Sequence, residues 1–93
     1  MSRLLYRHKS FLKDWKKVNL SDKYFTKFIK YSHCLINDEP LPFEANDHSL
    51  LGEYKDFREF HLGSNMLVIY SLNEDDIVYF SRIGTHNQLF KNI

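Results

Sequence analysis

The sequence predicts an α+β fold, two N-terminal helices packed on a small antiparallel β-sheet. The expected order is β-α-α-β-β-β with a short C-terminal helix. Three observations predict it. Apolar residues recur at three- and four-residue steps between Phe11 and Leu35, the period of a helix face. From Asp56 onward the apolar residues alternate or run continuously, as in strands. Polar clusters suited to tight turns, Gly63-Ser64-Asn65 and Asn73-Glu74-Asp75-Asp76, separate those runs.

Each element has its own local reason. Residues 3–7, Arg-Leu-Leu-Tyr-Arg, form a short candidate strand. Phe11, Leu12 and Trp15 lie on one face of a first helix, with Ser10 as its cap and an expected end near Asn19. Ser21 is placed to cap a second helix, and Asp22 in its first turn suits the helix dipole. Tyr24, Phe25, Phe28, Ile29, Ser32 and Leu35 carry that helix to about Ile36, where Asn37 and Pro40 stop it. Its aromatic stripe reads as core. Residues 38–55, with Pro40, Pro42 and Gly52, form a long connection containing His48, and connections of that length are often functional. Residues 56–62, 66–72 and 77–83 are the three later strands. Gly84 is expected to break the last of them, and Thr85 to cap a turn holding His86 to Phe90.

Ninety-three residues make one domain, 1–93, with a limited core. The 43% hydrophobic and 16% aromatic content is ample for packing and argues against disorder. A single cysteine, Cys34, excludes an internal disulfide and a zinc site of several thiolates. The N-terminus has no apolar run suited to a signal peptide or membrane span, so a cytoplasmic protein with no membrane partner is expected. The net charge of +1 hides an asymmetry: residues 1–30 carry nine Lys/Arg against two acids, and residues 31–93 carry four against ten. That basic half suits a polyanion or an acidic protein, and it equally suits a solvated lysine-rich helix face.

The chemistry concentrates between Asp47 and Phe90. Glu59 and His61 are two apart in a strand and therefore share a face. A carboxylate beside an imidazole suits general acid–base work near neutral pH. Arg82 puts a permanent cation at the sheet rim, where a guanidinium can fork onto phosphate oxygens. His86 follows at a turn, and His48 arrives from the long connection. No H-x-x-x-H or Cys/His pair suggests a metal, and there is no G-x-S-x-G elbow and no phosphate-binding glycine loop. Neither metal nor cofactor is therefore expected. A carboxylate, histidines and an arginine suggest phosphodiester transesterification, in which a 2′-hydroxyl attacks phosphorus. Only RNA carries that hydroxyl. Taken singly, each histidine is more often an ordinary surface or hydrogen-bonded residue.

The ordered set P-L-P at Pro40–Pro42, D-H-S-L-L-G at Asp47–Gly52, F-R-E-F-H at Phe57–His61, L-V-I-Y ending at Tyr70, and R-I-G-T-H-N-Q-L-F at Arg82–Phe90 resembles the YafQ branch of the RelE/ParE toxin superfamily. The resemblance implies a RelE-like toxin of a type II toxin–antitoxin pair, an mRNA interferase that cuts mRNA on the ribosome without a metal. It implies catalytic roles for His48, Glu59, His61, Arg82, His86 and Phe90, with Arg82 on the scissile phosphate and Phe90 placing a base. Arg58, Lys13, Lys16, Lys17 and Lys55 would meet mRNA and ribosomal RNA. A cognate antitoxin would be the protein partner, and DNA would be met only through that complex. Asn65 and Met66 stand where the family often has an acid followed by an aromatic; an amide cannot exchange a proton usefully, which shifts weight to Glu59. The competing reading is a non-enzymatic or degenerate ParE-like binder of gyrase or antitoxin, whose gyrase-poisoning branch lacks this histidine set.

Overall fold

The computed structural model describes residues 2–90. The elements are β1 (Leu4–Arg7), α1 (Lys9–Trp15), α2 (Asp22–Ile36), β2 (His48–Ser49), β3 (Arg58–His61), β4 (Met66–Leu72), β5 (Ile77–Thr85) and α3 (His86–Phe90). Single 3-10 turns at Phe43–Ala45 and Gly52–Tyr54 punctuate the long connection. The strands form one sheet in the order β1-β5-β4-β3-β2.

The second helix follows its sequence signals. Ser21 Oγ accepts from the Tyr24 amide at 3.1 Å, and the helix ends at Ile36 with Asn37 as its C-cap. The first helix differs. His8 caps it, Nδ1 accepting from Ser10 N at 3.2 Å, while Ser10 Oγ donates to the Ser81 carbonyl at 2.6 Å. The helix stops at Trp15 because the amides of Lys17 and Val18 both return to the Asp14 carbonyl.

The sheet is mixed. β2 to β5 pair antiparallel as expected, but β1 joins β5 in parallel, Leu5 beside Val78 and Arg7 beside Phe80. The chain leaves β1 into the helical pair and returns only after three further strands, a crossover long enough for parallel pairing. No local pattern in four residues encodes that direction. β2, expected as loop, pairs His48 with Glu59 and Ser49 with Arg58. β5 runs through Gly84 to Thr85. A Cβ at Gly84 would meet Gln88 Oε1 at 2.9 Å and Leu89 Cδ2 at 3.2 Å, so this glycine admits α3 onto the strand rather than ending it.

One irregularity decides which side chains face where. Ile69 is opposite Arg82 and Tyr70 is opposite Phe80, so Ser81 is an extra residue in β5. Phe80 and Ile83, three apart, therefore both enter the core, where Phe11, Tyr31, Leu35, Phe60, Val68 and Tyr70 also lie. Strict alternation would have put Arg82 on the Phe80 side. The bulge turns it to the opposite face, alongside Ile69. Both helices supply aromatic rings to the core face: Phe11 and Phe28 against Phe80, and Tyr31 edge-on to Phe60.

Beyond Phe80, β5 has no β1 residue beside it, and α1 covers that stretch. Ser10 takes the Ser81 carbonyl, and Asp14 Oδ2 accepts from the Ile83 amide at 3.1 Å. Backbone groups at a sheet edge are thereby satisfied by side chains instead of a neighbouring strand.

Candidate active site

The face of the sheet opposite the helices carries the chemistry. His48, Glu59, Ile69 and Arg82 are successive cross-strand partners, so they form one lateral row. Glu59 and Arg82 are two strand spacings apart, about 10 Å between backbones. His61 lies two residues along β3 from Glu59, on the same face.

Glu59 is the hub and is only 5% exposed. Its Oε2 lies 2.6 Å from His61 Nε2 and 3.4 Å from His48 Nε2. The two imidazoles stack, with centroids 6.0 Å apart. Hydrogen-bond chemistry fixes the tautomers. A carbonyl oxygen only accepts, so His48 Nδ1 carries the hydrogen given to Asn46 O at 2.7 Å. Neutral His48 then presents a bare Nε2 to the cleft, next to Glu59. By the same reasoning His61 Nε2 carries a hydrogen and its Nδ1 is bare. The arrangement can accept a proton at His48 and offset the resulting charge with Glu59.

His86 opens α3, its amide donating to Asn65 O at 3.3 Å. Its ring packs on Phe90 at 4.9 Å, and both line one cleft with His48, Glu59 and the Leu51–Tyr54 turn. The expected Thr85 cap is present and reciprocal: Gln88 N donates to Thr85 Oγ1, and Thr85 N to Gln88 Oε1. Those bonds fix where His86 projects.

Arg82 lines an adjoining cleft of about 820 Å³ with Asp14, Lys17, Tyr54 and Phe90. Its Nε and Nη2 donate to Asp14 Oδ2 and Oδ1 at 2.6 and 3.1 Å. These bonds raise its pKa above the ordinary arginine value, so it stays charged. Tyr54 and Phe90 meet edge-to-face at 5.7 Å and border both clefts.

The remaining basic residues divide. Lys13, Lys16, Lys17 and Lys55 are exposed, and Lys17 alone among them lines the Arg82 cleft. Arg58, expected on RNA, has an internal task. Its Nε donates to Asp47 Oδ1 and Tyr70 Oη, each at 3.3 Å, and its Nη1 to Ser49 Oγ at 2.9 Å. Tyr70 Oη also donates to Asp47, and burial, then this bond, raise the phenol's pKa. The network ties both neighbours of His48 to β3. Sequence reasoning missed Asp14, Asp47, Tyr54 and Tyr70. Asp14 left a signal, being one of only two acids among nine bases in the first thirty residues.

The expectation against metal ligands rested on local spacing, and the fold assembles a set that spacing hides. One ligand atom each from His48, Glu59 and His61 all lie within 4.8 Å of one another. Two imidazoles and a carboxylate suit a transition-metal ion. No helix among the described residues is long and apolar enough to cross a membrane.

Comparisons with known proteins bear on the family and the fold. The family model described as "Bacterial toxin of type II toxin-antitoxin system, YafQ" matches residues 3–91. A putative toxin YafQ of Haemophilus influenzae is 39% identical over 66 residues, covering 68% of this chain and 65% of the relative, just under two thirds of its length. The mRNA interferase toxin YafQ of Escherichia coli K12 is 37% identical over 79 residues, covering 84% and 85%. In a crystal structure of the E. coli DinJ–YafQ toxin–antitoxin complex, a chain 32% identical superposes with a TM-score of 0.81, covering 97% of this chain and 99% of that one.

Proposed function

This chain belongs to the YafQ family of bacterial toxins of type II toxin–antitoxin systems, and we propose that it is an mRNA interferase, an endoribonuclease that cuts mRNA on the ribosome. The observation that carries the reading is the convergence of His48, Glu59 and His86 on one cleft, with His61 bonded to Glu59 and Arg82 in the same row of the sheet.

The reaction is transesterification. The bare Nε2 of His48 takes the proton of the 2′-hydroxyl, and Glu59 beside it stabilises the imidazolium that forms. The 2′-oxygen bonds to phosphorus as the bond to the 5′-oxygen breaks. His86 gives its proton to that leaving oxygen across the cleft. The products are a 2′,3′-cyclic phosphate and a 5′-hydroxyl, and no step calls for a metal or cofactor. His61 holds Glu59 in place through the 2.6 Å bond. Arg82 offsets charge developing on the phosphate, and Phe90 with Tyr54 offers an aromatic surface to a base. Lys13, Lys16, Lys17 and Lys55 meet ribosomal RNA. A cytoplasmic antitoxin, the counterpart of DinJ in the E. coli complex, covers this positive surface and blocks the toxin.

The test is cleavage of a defined mRNA on translating ribosomes by the purified protein. Wild type should cut, and His86→Ala should be slower by about 10²–10⁴-fold. Equal cleavage by the two proteins would sink the proposal.

A further inference from the structure

Arg82 does not approach a substrate as a free side chain. Asp14 grips the guanidinium along one edge, Nε to Oδ2 at 2.6 Å and Nη2 to Oδ1 at 3.1 Å. Asp14 is itself held, since the Ile83 amide donates to the same Oδ2 at 3.1 Å. Its side chain is 13% exposed and that of Arg82 is 38% exposed, so the carboxylate lies beneath and the guanidinium reaches the cleft. A guanidinium has five N–H donors, and edge-on pairing engages two of them. Both hydrogens of Nη1 and one of Nη2 remain, which is the fork that takes two phosphate oxygens. One carboxylate thus joins the sheet edge, α1 and the cation in a single rigid unit.

We propose that Asp14 is a positioning residue: it fixes the rotamer of Arg82 so that the free Nη1/Nη2 fork faces a phosphodiester in the cleft. Asp14 touches no substrate atom. Its contribution is that the arginine is oriented before RNA arrives, so little ordering remains at the transition state. Lys17 on the same cleft wall adds charge without direction, as a lysine does. The role in catalysis rests on the ribonuclease reading; the orientation of Arg82 toward phosphate does not.

A double-mutant cycle with a spectroscopic readout separates the two. Cleavage is measured for wild type, Asp14→Ala, Asp14→Asn, Arg82→Ala and the Asp14→Ala/Arg82→Ala double variant, each checked for folding by thermal melt. Asp14→Ala should lower kcat by about 10–100-fold with KM nearly unchanged. Asp14→Asn, which keeps an oxygen for the Ile83 amide, should lose less. In the Arg82→Ala background, removing Asp14 should cost nothing more. An equal loss in both backgrounds would make Asp14 a merely structural support and overturn the proposal, as would full activity of Asp14→Ala. In parallel, the Arg82 Nε–H signal is followed by NMR during titration with inorganic phosphate. The wild-type signal should exchange slowly and move with phosphate, and in Asp14→Ala it should do neither. If that pattern appears while wild type cuts no RNA, the nuclease reading falls and the positioning role stands. A wild-type signal indifferent to phosphate overturns the positioning role itself.

Discussion

Replacing Glu59 with Gln tests the centre of the site with the least change in shape. The carboxylate Oε2 serves two imidazoles at once, His61 at 2.6 Å and His48 at 3.4 Å. When His48 takes a proton, two opposite charges 3.4 Å apart interact by about 5 kcal/mol at an effective dielectric near 20. The His48 side chain is 46% exposed, so water screens about half of that, leaving about 2.5 kcal/mol. That alone slows the proton-transfer step by about 70-fold. The amide also lets His61 turn, so the whole loss should reach about 10²–10³-fold in kcat. Folding should change by under about 1 kcal/mol, roughly 4–8 °C in Tm, because the amide keeps an acceptor for His61. The assay is single-turnover cleavage of mRNA on stalled ribosomes, with a thermal melt of the same preparation. A folded Glu59→Gln protein cutting within threefold of wild type would remove Glu59 from the proton path.

Other perturbations reach different parts of the molecule. Ala at Gly63 would place a Cβ 2.1 Å from the Tyr24 hydroxyl oxygen, so Gly63→Ala should cost about 1–3 kcal/mol in urea denaturation, without strain from φ. Tyr70→Phe removes hydrogen bonds to Asp47 and Arg58 and should cost about 1–2 kcal/mol, measured the same way. The Tyr70 phenol has a folded pKa above its ordinary 10.0, so the folded state holds this proton where the unfolded chain releases it. Stability is therefore fully present below about pH 10 and falls as pH rises past it, and Tyr70→Phe should flatten that alkaline limb in pH-dependent melts. Copper(II) or zinc should bind where His48, Glu59 and His61 converge and inhibit cleavage, because the groups needed for proton transfer become ligands. Calorimetry should show binding weakened by His61→Ala, with activity restored by chelator.

Much of the fold was legible because its signals are local. Ser21 caps α2 and Thr85 caps α3 through bonds made within three residues, and a sequence reader sees both ends of such bonds. The Glu59–His61 pairing was legible because strand alternation alone places them together. What failed needed partners from far along the chain. The direction of β1 is set by a crossover, and β2 exists only because β3 lies beside it. Ser10 serves Ser81 instead of its own helix because a sheet edge 71 residues away lacks a neighbour. The Asp47 and Tyr70 partners of Arg58 were not legible, because residues 11 and 12 positions away give no local hint of converging on it. The ligand-like trio escaped spacing rules because β pairing, not sequence proximity, brings His48 to Glu59.

The additional residue at Ser81 works as a phase slip in the last strand. Upstream of it, even positions look toward the oil; downstream, odd ones do. The cation faces water solely by virtue of that offset. Flattening the bulge with Ser81 kept in register would swing it inward toward Phe11 and Phe28, whereas deleting Ser81 would leave Arg82 outward in a regular strand. The facing of the cation in this small protein thus hangs on parity, set by one extra residue between Phe80 and Arg82.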